Sequence, residues 1–499
     1  MKDLIEQRSL PASPRSFGFF IDGQWHDGGK RQRNLRRSPG YGVDVTEITL
    51  CDADDVDAAV RAARRSFDTG SWSRVASSER GRVLLAIADG IRARLDELAY
   101  WEVLETGKAI TQARAEMNDA AGHYEYSAGV ARTLRGDSFN NLGEDLFGVV
   151  TREPVGVVGL ITPWNFPFIV LAERLPYILA AGNTVVLKPS EMTSATSLML
   201  ADIVTAAGLP AGTYNVITGL GDPVGETMTH HSGIDMISFT GSSRVGERVM
   251  VAAATNFKKV SLELGGKNPQ VVFADADLDD AADGVAFGLC FNAGQCCVSG
   301  SRLIVEASVA DAFQAKLVEK LSRVRTGDCL DPQTQLGAIV SDAHRDKILG
   351  YVQSGVKDGA RIACGGDALV IGAGRYIAPT LLTEVRADMS IARDEIFGPV
   401  LSMFTFDTFD EAMQMANDTP FGLAASIWTK NIDKGIRAMR SIQAGRTWVN
   451  TTIAGGPEQA IGGFKQSGLG RETGVQGVEE YTELKSVHIA LGKRCHWVD

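Results

Sequence analysis

Two adjacent thiols, Cys296 and Cys297, sit in FNAGQCCVSG, a small, glycine-rich segment between a helical pattern and a strand-like run. In such a setting free backbone amides lower a thiol pKa and hold an oxyanion, which suits nucleophilic attack on a carbonyl carbon. An arbitrary free cysteine is more often a small buried hydrophobe, and Cys51, Cys290, Cys329, Cys364 and Cys495 read that way.

A second group of polar residues follows five apolar runs: VGVVGLI from Val155, TVVLK from Thr184, YNVIT from Tyr214, IDMISF from Ile234 and KVSLEL from Lys259. Behind them come Asn165 in PWNFP; Lys188, Pro189, Ser190 and Glu191; Gly219 and Gly221; Gly241 and Ser242; and Glu263. Each alone is ordinary turn chemistry, but five such ends at one sheet edge favour a nucleotide or cofactor cleft. Two phosphate loops compete within it. Gly219, Gly221 and Gly225 spell GxGxxxG, one residue longer than the dinucleotide fingerprint. Gly241 and Gly246 spell GxxxxG with Glu247 where a P-loop has Lys, yet they open a helical stretch whose first amides could receive a pyrophosphate.

Positioning these residues requires the five runs to form a doubly wound parallel sheet, because buried parallel strands are continuously apolar and need helical crossovers. Ahead of it, Val56, Ala59, Val60, Ala63 and Phe67, then Leu84, Ile87, Ile91, Leu95 and Leu98, mark core-facing helices. After Glu263 a second α/β block begins, with strand-like PQVVF, RLIVE and PVLSMF and a helix around Ala312 to Val324. The tail from about Gly477 reads as an extended strand in a separate context. At 499 residues the chain exceeds one hydrophobic core, so two or three domains are expected.

A formal net charge of −11 argues against a general nucleic-acid binder. The one basic cluster, Lys30, Arg31, Arg33, Arg36 and Arg37, reads as a solvated surface loop rather than an anion site. Scattered cysteines without metal-ligand spacing suit a reducing compartment and no metal centre. No apolar run spans a bilayer and no signal peptide is legible, so a cytoplasmic protein without a membrane partner is expected.

ITPWNFP at Ile161, AAGNTVVLKPSE ending at Glu191, FTGS ending at Ser242, LELGGKNP at Leu262, FNAGQCC at Phe291, EIFGPV at Glu395 and GGFKQSGLGRE at Gly462 together resemble the aldehyde dehydrogenase superfamily over nearly the whole chain. The resemblance implies an α/β fold with a Rossmann-like NAD-binding domain (1–136 and 156–263), an α/β catalytic domain (264–466) and a β-arm (137–155 and 477–499). That arm would build a homodimer or homotetramer. It implies Cys297 as nucleophile, Glu263 as general base and Asn165 in the oxyanion hole. NAD contacts fall on Ile161, Trp164, Gly221, Gly241 and Phe397, with Lys188 and Glu191 on the adenosine ribose, Ser242 on the pyrophosphate and Glu395 on the nicotinamide ribose. A carboxylate at Glu191 accepts from a ribose 2′-hydroxyl and repels a 2′-phosphate, favouring NAD over NADP by about 1–3 kcal/mol and leaving weak NADP use.

The resemblance further implies a pocket of Phe166, Val170, Glu173, Cys296 and Ile453 around a small aldehyde substrate, which is oxidised to the free acid. Relatives that pass the acyl group to coenzyme A resemble this chain less at Glu263. Relatives that take ω-carboxylate semialdehydes carry Arg where this chain has Glu173, so neutral or cationic aldehydes are expected. Alternatively, Glu173 simply pairs with Arg174. A catalytically silent relative is disfavoured because nucleophile and base are both present. A cysteine hydrolase is disfavoured because none of the seven histidines falls in the motifs.

Overall fold

The computed structural model describes residues 5–492 with Trp497 and Val498, which leaves Cys495 outside the described residues. All five apolar runs are strands: Val157–Ile161, Thr184–Lys188, Tyr214–Val216, Met236–Thr240 and Lys259–Glu263. In space the order is Lys259–Glu263, Met236–Thr240, Val157–Ile161, Thr184–Lys188, Tyr214–Val216, all parallel. Antiparallel strands close both sides, Gly468–Leu469 beside Lys259–Glu263 and Phe19–Ile21 with Gln24–His26 beyond Tyr214–Val216. The chain order reverses between Val157–Ile161 and Met236–Thr240, the place where a doubly wound sheet opens a crevice beyond its carboxyl edge.

A second sheet runs Arg361–Cys364, Thr380–Thr383, Val400–Phe406, Gly300–Glu306, Asn268–Val272, Ala424–Trp428, Arg446–Val449 and is parallel except for its first strand. The helix expected around Ala312 to Val324 spans Ala310–Ser322. Helices packed on both sheets complete an α/β fold. The two sheets are consecutive in sequence, so the link from Glu263 to Asn268 carries the chain directly from one to the other.

Two sequence expectations change. The tail does not turn extended at Gly477: helix Gly474–Glu480 comes first, and the strand is Thr482–Ala490. That strand pairs antiparallel with Leu146–Pro154, which also carries Asp137–Phe139. The basic cluster is not a loop, because Arg33–Arg37 is a strand paired with Asp44–Thr49. Arg36 is half-buried there and donates to the carbonyls of Glu105 (Nε, 3.0 Å) and Val340 (3.0 Å), so it ties elements together.

The long helix Ile110–Thr133 passes the crevice and is anchored at its start by a buried ion cluster. Lys108 Nζ donates to Glu102 Oε1 (3.1 Å) and to Glu116, while Thr196 Oγ1 donates to Glu102 Oε2 (2.9 Å). The ammonium also lies 4.6 Å from the centre of the Phe166 ring. One cation thus offsets two buried carboxylates and fixes an aromatic side chain. Lys108→Met should lower stability by about 3–5 kcal/mol, since it strands two buried acids; denaturant unfolding with an unchanged midpoint would contradict this.

Candidate active site

The residues that could do covalent chemistry meet at a cavity of about 470 Å³ between the two sheets. Cys297 and Glu263 share its wall with Phe166, Val170, Glu173, Cys296 and Ile453, so the whole expected pocket set is brought together. Ile453 holds φ 52°. A β-branched residue seldom takes that value, and such strain gathers where a wall must point inward.

Cys297 is placed by a tightly constrained turn. Asn292, Ala293 and Gly294 take φ values of 49°, 55° and 69° in succession. A Cβ at Gly294 would lie 2.3 Å from the Gly398 carbonyl, so glycine is required there. Gln295 locks the turn: its Nε2 donates to Asn292 O (3.2 Å) and Ala338 O (3.3 Å), and its Oε1 accepts Val340 N–H (2.9 Å). Beyond it, Asn268 Nδ2 donates to Cys297 O (2.7 Å) and Ser299 O (2.8 Å). Asn165 stands behind the cavity wall and donates one Nδ2–H to Gln295 O (3.0 Å). Among the described residues nothing accepts its second N–H or the backbone N–H of Cys297.

Electrostatics at the cavity are dominated by burial. A hydrogen bond with Cys296 that the protonated thiol makes, followed by desolvation, raises Cys297 well above its ordinary value. Burial pushes Glu263 up from 4.5 to about 8, with Arg174 opposing and Glu472 reinforcing the shift. Glu263 Oε1 is buried without a hydrogen-bond partner. Arg174 supplies the neighbouring positive charge: Nη1 pairs with Glu173 Oε2 (3.2 Å), and Nε lies 3.9 Å from Glu472 Oε1. Glu472 accepts from Ser261 Oγ (2.7 Å) and the Tyr481 hydroxyl (2.9 Å). The sequence offered Arg174 only as a partner of Glu173 and gave Glu472 no role. The available signal was a charged residue ending the glycine-rich GGFKQSGLGRE segment. His123 also lines the cavity, but its Nδ1 is 2.9 Å from the Tyr177 hydroxyl and no hydrogen bond joins it to Cys297 among the described residues.

The candidate cofactor residues follow the strand ends. Ile161 and Lys188 end neighbouring strands, and Gly241 and Ser242 link Met236–Thr240 to helix Ser243–Ala253. Ser242 makes no side-chain cap bond to that helix, and while Val245 N–H donates to Ser242 O (3.0 Å), the N–H groups of Ser243 and Arg244 have no acceptor among the described residues and could receive an anion. Lys188 is buried, yet among the described residues its Nζ has only Pro189 O at 3.4 Å and Glu191 Oε2 at 3.8 Å. An under-satisfied ammonium beside a carboxylate suits a ribose diol. Gly221 begins a short turn whose Gly225 lies against the Lys188 stem. Across the crevice Glu395 Oε1 accepts Gly266 N–H (3.0 Å), and Trp164 packs edge-on against Phe397 with centroids 5.4 Å apart. These groups fit a dinucleotide.

The aldehyde dehydrogenase family profile matches residues 25–487. A betaine aldehyde dehydrogenase of Bacillus subtilis (strain 168) is 40% identical over 472 residues, 94% of this chain and 96% of that one. The crystal structure of an NAD-dependent aldehyde dehydrogenase from Sinorhizobium meliloti superposes with TM-score 0.96 at 49% identity, covering 98% of this chain and 97% of that chain. An indole-3-acetaldehyde dehydrogenase from P. syringae, solved with NAD+, gives 0.94 at 40% identity, covering 98% and 99%.

Glu263 also links pH to stability. Its folded pKa of about 8 lies above its ordinary 4.5, so the folded chain keeps a proton that the unfolded chain releases in that interval. Its contribution therefore becomes unfavourable as pH rises through that window and is fully unfavourable above it. Glu263→Gln should gain more than about 1.4 kcal/mol over the parent at pH 9 and lose that advantage near pH 4. A difference in unfolding free energy that does not vary with pH would refute the assignment.

Proposed function

The chain belongs to the aldehyde dehydrogenase family and is an NAD-dependent aldehyde dehydrogenase; from that premise we propose that it forms a thioester on Cys297, hydrolysed with Glu263 as general base. The observation that carries this reading is the shared cavity wall, where a half-buried thiol and a carboxylate with one oxygen unpartnered among the described residues line the same space.

Aldehydes give up hydride poorly because the cation left behind is unstable, whereas a tetrahedral alkoxide expels it readily. At rest the Cys297 thiol holds its proton, and Glu263, titrating at about 8, is the acceptor within the cavity. Attack by sulfur places the new oxyanion against the free N–H of Asn165 and the backbone N–H of Cys297. Such donors are typically worth about 3–4 kcal/mol each. NAD, held by Lys188, Glu191, Ser242 and Glu395 with Ile161, Trp164, Gly221, Gly241 and Phe397 around it, supplies the hydride acceptor when bound. Glu263 then takes a proton from water as it attacks the thioester, and the free acid leaves.

Glu191 places a carboxylate where a 2′-phosphate would meet it, so NAD is preferred and NADP is used weakly. Glu173 is engaged by Arg174, the pairing that the sequence left as the alternative, yet it still sets an acid rather than a base in the pocket. Neutral or cationic aldehydes are therefore favoured over ω-carboxylate semialdehydes, in line with the betaine aldehyde and indole-3-acetaldehyde dehydrogenases among the relatives. Leu484, Val487 and Ile489 are exposed on the arm, which fits pairing with a second copy in a homodimer or homotetramer. Among the described residues no helix is long and apolar enough to cross a membrane. A cytoplasmic location is proposed from the free-thiol composition.

Glu263→Gln should slow acid release by about 10²–10⁴-fold, whereas release near the parent rate would overturn the base assignment. Glu191→Gln should narrow the NAD-over-NADP ratio of kcat/KM by about tenfold. An unchanged ratio would remove Glu191 from cofactor selection.

A further inference from the structure

Asn292 opens the run of three left-handed residues before the nucleophile, with φ 49°, and is 4% exposed. A left-handed φ alone would account for an Asn at this place, because its short amide tolerates that conformation, but Gly tolerates it at least as well. The hydrogen bonds ask for more than φ. Asn292 Nδ2 donates to the backbone carbonyl of Asn165 (2.9 Å) and to Gln295 O (3.1 Å). Gln295 O is the same carbonyl that accepts Asn165 Nδ2 (3.0 Å). Three bonds thus close a triangle in which both the backbone and the side chain of Asn165 are tied to the turn that carries Cys297.

The brace is itself held from behind. Asn292 N–H donates to Gln112 Oε1 (3.1 Å) on helix Ile110–Thr133, and Gln112 Nε2 donates to Glu116 Oε1 (2.8 Å). On the other side Gln295 N–H returns to Asn292 O (3.0 Å). An amide group is planar, so once one N–H of Asn165 is committed to Gln295 O the direction of the other is set. The two oxyanion donors come from different blocks of the fold, Asn165 from beyond strand Val157–Ile161 and the Cys297 N–H from the second block. Such donors act only when both meet one oxygen at about 2.7–3.1 Å, which demands that something fix their separation.

We propose that Asn292 is a positioning residue for the reaction: its side-chain amide holds the Asn165 donor in place relative to the Cys297 N–H, acting through Asn165 and Gln295 rather than on the reacting atoms. The inference rests on the thioester reading above and adds to that same site a residue that aligns its oxyanion donors.

Single-turnover formation of NADH from propanal, at saturating NAD, reads the step these donors serve. Asn292→Gly keeps the left-handed backbone and deletes only the amide. It should slow hydride transfer by about 100-fold, as expected for a group displaced by about 1 Å, with the Kd for NAD unchanged. Asn165→Ala should slow the parent by about 10²–10³-fold. Added to Asn292→Gly, it should cost less than about fivefold more, because coupled residues do not add. If Asn292→Gly does not fold, Gln112→Ala, which releases the Asn292 N–H, carries the same cycle with an expected loss of about tenfold. Hydride transfer at the parent rate in the folded variant, or losses that multiply with that of Asn165→Ala, would overturn the positioning role alone. Asn165→Ala at the parent rate would overturn the oxyanion reading and this inference with it.

Discussion

A buried carboxylate and a half-buried thiol at one cavity wall form the constraint around which this molecule is arranged. A hydrogen bond with Cys296 and then burial raise the thiol, while burial raises Glu263 against the opposing charge of Arg174. Such a site persists only if the surrounding fold is stable enough to tolerate it. The Rossmann-like sheet delivers Glu263 at the end of its edge parallel strand. The second block supplies Cys297 on a left-handed turn that Gln295 and Asn268 hold in place. Because the chain passes from one sheet to the other within Leu264–Lys267, Asn268 follows Glu263 closely in sequence, and its bond to Cys297 O ties the nucleophile's turn to the strand end that carries the base.

Arg174 illustrates how one buried cation serves several acids. It lies against Glu173, near Glu472 and within electrostatic range of Glu263. The Lys108 cluster repeats the pattern one layer away, where Glu102 and Glu116 share a single ammonium and the same ammonium steadies Phe166. In both places removal of the cation would leave uncompensated buried charge, which makes these residues structural and electrostatic at once.

Much of this was legible in the sequence because buried parallel strands announce themselves as continuous apolar runs, and all five expected for the first sheet are present. The thiol pair Cys296–Cys297 stood out for its glycine-rich context and Glu263 for its place at a strand end, whereas the choice of Cys297, the base role of Glu263 and the pocket residues Phe166, Val170 and Glu173 came from the family resemblance alone. The second sheet was harder. AASIW and RTWV are short and carry polar or small residues, so Ala424–Trp428 and Arg446–Val449 have no distinctive period. The arginine-rich segment misled for a different reason: alternation of charge and burial in Arg33–Arg37 depends on carbonyl acceptors more than sixty residues away, which no local pattern records. Likewise the roles of Arg174 and Glu472 arise from approach between distant segments.

The account depends on an acyl group residing on one particular sulfur. Mass mapping of peptides from parent enzyme, acid-quenched at a series of times during turnover of NAD and propanal, tests this most directly. A propanoyl mass on Cys297 is the predicted result. Propanoyl on Cys296, or aldehyde consumption with no acylated cysteine at any time point, would contradict it.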